Sequence, residues 1–410
     1  MSNKKVIVCQ LGARRQYAVP LALYRAGLLG CFYTDFCIGN TWLTRCVGTI
    51  DKQIQLNALS RLYGRMAPGL PSELIRTFPI LGVQYRRRVQ TARDRGHVTE
   101  AWLWGGTQFG DRVARAGLGG AGAVFAYSSA ALEIFESARK AGLRRILDLA
   151  TAPRRAEMEL VMQQADTYRG WTTAPGPDPW LAQYDDRQRA EADLADVIIC
   201  GSSFARDLVD TAWAAGEKCV VVPLGLPQFP ENVRAWSPHG GPLRVLFVGD
   251  EALRKGIGDL HVALKQLGPT RFAVKVAGQL DLTTLARAQL RETMELLGRV
   301  PRRQLAGLYQ WADLLVLPSV SDTFGLALLE SLSHGVPVVA TTHTGAVDLV
   351  SDGREGYVIP PRAPALLAEI LGRVEGERQQ LATMSRAAID RSRRFGMEQY
   401  AKGLVAAMAR

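Results

Sequence analysis

Short apolar runs alternate with longer amphipathic stretches along nearly the whole chain. KVIVCQ (5–10), AVFAY (123–127), RILDL (145–149), VIIC (197–200) and CVVVP (219–223) are compact and rich in β-branched residues, as buried strands are. Between them the apolar positions recur with helical spacing, from about Gln16 to Ala26 and again over SAALEIFESARKAG (129–142). Strands that read as continuous apolar runs, separated by helices, predict parallel sheets covered on both faces.

The rhythm stops at PLGLPQFPENVRAWSPHGGP (223–242), which is dense in Pro and Gly and has no period. It then restarts. LRVLFVG (243–249), FAVKVAG (272–278), LLGRV (296–300), DLLVLP (313–318), VPVVAT (336–341) and YVIP (357–360) read as strands, with a helix expected over 255–268. The pattern predicts a first domain over 1–225, a linker over 226–242 and a second domain over 243–390. A length of 410 residues fits two cores of roughly 200 residues each. Ligands of such sheets sit beyond the carboxyl ends of the strands, so a cleft between the domains is the expected site.

Composition narrows the class. The chain is 47% apolar and 22% charged, and no run approaches the ~20 apolar residues of a membrane span. The apolar core of the N-terminus, Val6–Cys9, is too short for a signal peptide. The six cysteines (9, 31, 37, 46, 200 and 219) make no CxxC pair, and the five histidines have no metal spacing, so reduced thiols and a cytoplasmic location are expected. Charge changes the picture more. Residues 1–100 hold 15 Lys/Arg against 5 Asp/Glu, a net of +10 out of +11 for the chain. In segment 61–96 eight arginines (61, 65, 76, 86, 87, 88, 93 and 95) interleave with apolar residues against only Glu73 and Asp94. That pattern suits peripheral contact with an anionic membrane, or else a solvated face. No recognition motif for nucleic acid accompanies it, and no nucleic-acid partner is expected.

The candidate chemistry lies in SVSDTFGLALLESLSHGVPVVAT (319–341). SVSD falls just past the end of a buried strand, and a helix is expected from Phe324–Gly325 to Ser333. Asp322 would stand at its N-terminus, where a carboxylate caps backbone N–H groups. Glu330 falls among Leu328, Leu329 and Leu332, a costly place for a carboxylate unless a hydrogen-bond partner meets it. The plain alternative is a cap and a solvated side chain. Gly325 argues against it, because a helix N-terminus without a side chain in the way is a ready phosphate site. Gly249, Lys255 and Gly256 in FVGDEALRKGI also place a cation at the end of another strand of the same sheet.

VPLGL, FVGDEALRKGI, LLGRVPRRQLAGLYQWADLLVLPSVSDTFGLALLESLSHGVPVVAT and GAVDLVSDGREGYVIP resemble, in order and spacing, the retaining glycosyltransferases of family 4 (glycosyl transferases group 1). The resemblance covers nearly all of 219–361 and is weaker over 1–218. It implies an α/β chain of the GT-B fold, two Rossmann-like α/β/α domains facing across a cleft. The first domain would bind the acceptor, and a C-terminal helix in 391–410 would return to it. It implies hexosyl transfer, with retention, from a nucleotide sugar (UDP- or GDP-linked) to a hydroxyl of a glycan or lipid-linked saccharide in polysaccharide biosynthesis.

In that family the Glu-x7-Glu motif falls here on Asp322 and Glu330. Asp322 would hold the donor sugar's hydroxyls and Glu330 the ribose, completing its own hydrogen bonds. Phe324, Gly325 and Leu326 would lie along the diphosphate and Lys255 would neutralise the leaving phosphates, with Gly249 and Thr323 also binding the donor. Arg299 and Val300 would pack on the base. On the acceptor side would stand Gly12 and Arg14 in the first loop, with Tyr127 and Ser128 after a middle strand. The sequence departs from the pattern at Asp322, where Glu is usual, and at Asp250, where a basic residue is common. Arg254 would either replace that charge or be an exposed neighbour. No Asp-x-Asp occurs, so neither a metal nor another cofactor is expected, the positive charge coming from Lys255, Arg254 and a helix N-terminus. A non-catalytic binder of nucleotide sugars, and an epimerase or phosphorylase on the same fold, are the rival readings. A nicotinamide-dependent dehydrogenase is disfavoured by the lack of GxGxxG after either first strand.

Overall fold

The computed structural model of the protein describes residues 5–38, 65–67, 69–172, 178–231, 233, 236 and 238–410. Their strands form two sheets, all of whose pairings are parallel. The first contains β1 (Lys5–Gln10), β2 (Leu29–Thr34), β3 (Ile75–Thr77), β4 (Ala121–Tyr127), β5 (Arg144–Leu149), β6 (Val197–Cys200) and β7 (Cys219–Val221). The second contains β8 (Leu243–Val248), β9 (Phe272–Ala277), β10 (Glu295–Gly298), β11 (Leu314–Leu317), β12 (Val338–Thr341) and β13 (Gly356–Ile359). Strand orders are 3-2-1-4-5-6-7 and 10-9-8-11-12-13. Each reverses direction once, at β1/β4 and at β8/β11, and crevices open at such points.

Helices cover the sheets. In the first half they are α1 (Ala18–Arg25), α2 (Pro79–Thr91), α3 (Arg95–Ala116), α4 (Leu132–Lys140), α5 (Arg154–Thr167), α6 (Leu181–Leu194) and α7 (Ser203–Trp213). In the second they are α8 (Ile257–Leu267), α9 (Thr284–Leu290), α10 (Arg302–Trp311), α11 (Leu326–Ser333), α12 (Ala346–Leu349), α13 (Pro364–Gly376), α14 (Gln380–Ser392) and α15 (Met397–Ala409). Side chains of the first sheet alternate between two cores. Ile7, Cys9, Val124 and Ala126 enter one, while Val6, Val8, Ala123 and Phe125 enter the other. Tyr400, Leu404, Ala407 and Met408 of α15 complete that second core, so the last helix lies against the first sheet. The buried Leu404 side chain alone removes apolar surface worth about 2 kcal/mol.

The halves meet through polar contacts at the strand ends. Tyr168 Oη and Gln164 Nε2, from the end of α5, donate to Asp259 Oδ1 of α8 at 2.6 and 2.9 Å. After β6, Ser202 Oγ donates to the Thr323 carbonyl at 2.6 Å. Ser203 N–H and Oγ donate to Asp348 at 2.7 and 2.6 Å, so α7 is capped from the opposite half. Tyr168 and Trp171 belong to the core of the second sheet, which ties α5 to both halves.

The first helix begins at Ala18, two residues after the sequence pattern puts it. Arg15, Gln16 and Tyr17 precede it with φ of 48°, 50° and 61°, a left-handed turn of non-glycine residues. Each costs of order 1 kcal/mol or more. Long-range contacts offset that cost. Gln10 Nε2 donates to the Gly12 and Arg14 carbonyls, and the Arg15 guanidinium donates twice to the buried Asp148, at 2.7 and 2.9 Å.

Candidate active site at the facing strand ends

The loops after the two central strands of the second sheet meet at one ion pair. β8 leads through Gly249 to the turn Glu251–Gly256, and β11 leads to Ser319–Gly325. Gly256 has φ 73°, and a Cβ there would stand 1.9 Å from the Pro318 carbonyl oxygen, so only glycine lets the two loops touch. That contact brings the Lys255 ammonium onto the Asp322 carboxylate. Burial pushes the Asp322 carboxyl up, but Lys255, then Arg254, pull harder and hold it below the ordinary carboxylate range. Arg254 is not an exposed neighbour. Its Nη1 donates to the Ser321 carbonyl at 2.9 Å and its Nε to Glu251. Asp250, which departs from the family pattern, accepts from the Gln279 N–H at 2.6 Å and fastens the ends of β8 and β9 together.

α11 starts at Leu326 with Gly325 before it at φ 77° and with no side-chain cap. The carboxylate of Asp322 instead accepts from the Phe324 N–H, at 3.3 Å. Phe324 is buried, and its ring belongs to the core rather than to the cleft. Thr323 lies at the contact with Ser202, and Leu326 is exposed. Glu330, one turn into α11, is not a carboxylate awaiting its first partner. Tyr309 Oη donates to its Oε2 at 3.0 Å and Arg302 Nη2 reaches its Oε1 at 3.3 Å, both from α10. One-fifth of its side chain remains exposed, so a ligand can still reach it. Arg299 is exposed and Val300 half-buried in the turn between β10 and α10.

Across the cleft, the acceptor-side expectations fare unevenly. Gly12 lies in the loop after β1, but its N–H already donates to Asp35 Oδ1 at 2.9 Å. The Arg14 guanidinium sits 5.7 Å from the ring centre of Tyr127. Tyr127 itself is buried, and its hydroxyl has no partner among the described residues. Ser128 is buried as well and accepts from Gln188 Nε2 at 3.1 Å. These two residues form the floor of the first half rather than a surface open to a ligand. Glu191 fixes that floor by accepting the N–H groups of Ser129, Ala131 and Leu132 at 2.7, 2.9 and 3.2 Å. Burial pushes the Glu191 carboxyl up to about 7 against the pull of Arg187.

A cavity of about 850 Å³ lies beside α11, bounded by α1, α15, Arg302, Leu326 and Glu330. A second, of about 390 Å³, lies where the first turns of α3 and α5 face Glu251–Arg254. The residues of that second cavity (Arg95, Trp102, Arg154 and Glu157) stand on no motif, and only the topology brings them together. A basic residue just after β5 is the one signal the sequence offered.

Residues 242–375 match a family described as glycosyl transferases group 1. The chain is 30% identical over 260 residues to a D-inositol 3-phosphate glycosyltransferase of Xylanimonas cellulosilytica, covering 57% of this chain and 61% of that protein. It is 31% identical over 192 residues to the D-rhamnosyltransferase WbpZ of Pseudomonas aeruginosa, covering 44% of this chain and 50% of the relative. The amylovoran biosynthesis glycosyltransferase AmsK of Erwinia amylovora is 30% identical over 176 residues, 39% of this chain and 43% of its own. The chain thus spans less than two-thirds of the length of each. Among solved structures, HepE of Anabaena in complex with UDP and glucose superposes with a TM-score of 0.60 at 14% identity, over 99% of both chains. Sucrose-phosphate synthase of Thermosynechococcus elongatus gives 0.61 at 16% identity, over 98% of both. The two facing parallel sheets are therefore the GT-B fold.

Proposed function

We propose that the protein is a glycosyltransferase that moves a sugar from a nucleotide-sugar donor to a hydroxyl of a saccharide or lipid-linked saccharide, with retention of anomeric configuration and no bound metal. The observation that carries this reading is the grouping of Lys255, Asp322 and Glu330 around the uncapped start of α11. The donor's ribose hydroxyls would donate to the exposed part of the Glu330 carboxylate, and its diphosphate would lie along Gly325 and Leu326. The names of the matched relatives support a saccharide acceptor, and the UDP bound to HepE supports a UDP-linked donor, with GDP the other candidate.

In the reaction the bond from the anomeric carbon to the diphosphate oxygen breaks, and a bond to the acceptor oxygen forms on the same face of the sugar. The acceptor's hydroxyl proton passes to the departing phosphate, so no dedicated base is needed. Negative charge grows on the leaving diphosphate, where Lys255, Arg254 and the first-turn N–H groups of α11 stand ready. Arrival of the diphosphate draws the Lys255 ammonium away from Asp322, which frees the carboxylate for the sugar's hydroxyls. Binding the donor and arming its sugar site are then one event.

The test is a thermal-shift screen of UDP- and GDP-linked sugars, followed by assay of slow donor hydrolysis. One nucleotide series should raise the melting temperature and release sugar. A binder without turnover would show the shift alone, and no shift with any nucleotide sugar would end the proposal.

Contact with an anionic membrane belongs to the same reading. Its support is α2, where Ile80 and Val83 are 76% and 70% exposed and stand on the helix that carries the exposed Arg86 and Arg87. The wider basic segment does not form one face. Arg65 pairs with Asp35, Arg76 donates to the carbonyls of Glu73 and Ile75, and Arg88 stacks on Trp104. Arg61 lies outside the described residues. No described helix is long and apolar enough to cross a membrane.

A further inference from the structure

The cavity of about 390 Å³ has donors to spare and no free carboxylate. Four arginines line it (93, 95, 154 and 254), and so do four carboxylates. Each carboxylate is already engaged. Asp94 accepts from the His97 N–H, Asp281 from the Ala252 N–H, Glu251 from Arg254 and Glu157 from Arg154. The arginines keep donors free, although Arg254 is held by Glu251 and the Ser321 carbonyl and Arg154 by Glu157. Arg93 has no partner among the described residues, Arg95 reaches only the Met158 sulfur at 3.4 Å, and the buried Nε of Arg154 has no partner.

Three of these cations converge. Burial pushes the Glu251 carboxyl up, yet Arg254, then Arg154 and Arg95, reverse this and hold it below the ordinary range. They come from the loop after β8, from α5 and from α3, so the meeting of the two halves is what brings the three cations together. The Arg154 guanidinium also lies over the ring of Trp102, 5.6 Å from its centre, which holds it at the cavity wall. Glu157, one turn into α5, is close enough for its carboxyl to feel both Arg254 and Asp322 across the cleft. The cavity reaches Arg254, the neighbour in sequence of Lys255 and so of its ion pair with Asp322.

We infer that this cavity holds the acceptor and that the acceptor is a saccharide carrying an anionic group, either a carboxylate or a phosphate ester. The inference rests on the glycosyl-transfer reading of the same cleft. A guanidinium pair such as Arg95 and Arg154 matches either group in a forked geometry, and in this partly desolvated cavity a charge-assisted hydrogen bond is stronger than at the surface. The anion would be held at the rim of the cavity, away from Asp322, so that a ring hydroxyl of the same sugar points to the ion pair. Arg95 and Arg154 are specificity-determining residues on this account.

The experiment measures binding of methyl glucuronide, glucose 6-phosphate and methyl glucoside to the full chain by ligand-observed NMR titration, with and without UDP. At least one of the two anionic sugars should bind about tenfold or more tightly than the neutral one, and the arm that wins identifies the group. The preference should shrink as the Debye length falls from ~10 Å at 0.1 M salt to ~3 Å at 1 M. Arg95→Gln and Arg154→Gln, each checked for an unchanged melting temperature, should lose the preference and keep nucleotide binding. The inference is overturned if methyl glucoside binds as tightly as both anionic sugars, if none of the three binds, or if both variants keep the preference. Failure of the transferase reading looks different. In that case no nucleotide sugar binds at all, while the selectivity for anionic sugars and its loss in Arg95→Gln remain.

Discussion

The ammonium of Lys255 and the carboxylate of Asp322 form an ion pair whose side chains are only 11% and 14% exposed, and it joins the loops after β8 and β11. Its stability contribution has a definite sign with pH. The folded Asp322 carboxyl lies below its ordinary value of about 3.9, so the pair stabilises the protein above that pH and ceases to do so as pH falls through the lowered value. Lys255→Met leaves a poorly solvated charge without its partner and should cost about 3 kcal/mol near pH 7. Urea unfolding from pH 7 to pH 3 should show the variant and the wild type drawing together in acid. A gap between them that stays constant over that range would sink the assignment.

Glu330 and Tyr309 give a second prediction. Glu330→Ala should weaken nucleotide binding by roughly 1.5–3 kcal/mol, the range for a hydrogen bond to a charged group. Tyr309→Phe removes a hydrogen bond that orients the carboxylate rather than one that touches the nucleotide, and should cost about 0.5–1.5 kcal/mol. Calorimetric affinities unchanged in folded variants would remove Glu330 from the ribose.

Activity should survive chelation. The charge that balances the leaving diphosphate is assigned to Lys255, Arg254 and the start of α11, all of which belong to the chain. Rates measured in EDTA and in added Mg²⁺ or Mn²⁺ should agree within about twofold. Loss of activity in EDTA with recovery in Mn²⁺ or Mg²⁺ would show a metal in the reaction.

The α2 face predicts salt-sensitive binding to anionic vesicles. Each Lys or Arg near such a surface is worth ~1 kcal/mol, so Arg86→Gln with Arg87→Gln should lower partitioning by one to two orders of magnitude, ~2 kcal/mol. Ile80→Ser should lower it further by removing apolar area. Co-sedimentation with neutral and anionic vesicles at 0.1 and 1 M salt checks this, and equal binding to both lipids would leave α2 an ordinary solvated face.

Much of this protein was determined by local sequence. β1, β6 and most strands of the second sheet read directly from the chain, because a strand covered on both faces must be apolar at every position. The run from Ser319 to Thr341 announced a strand end, a glycine and a helix start in order, and the structure has them within a residue or two. β2 and β3 were missed, since LGCFYT carries a glycine and half-buried positions, and IRT is too short to have a period. What the tertiary structure alone decided are the pairings between distant residues. Arg15 and Asp148, 133 positions apart, hold a left-handed turn that no local preference favours. Tyr309 and Arg302 satisfy Glu330, Tyr127 is buried in the core that α15 completes, and Gln188 of α6 holds Ser128 below the surface. The cavity of Arg95, Trp102, Arg154 and Glu157 exists only because α3, α5 and the loop after β8 converge. Periodicity reports which face of an element is buried, and therefore reaches one turn or one strand along the chain. A charged side chain's partner depends on which strand ends the two sheets bring together, and that is settled by topology.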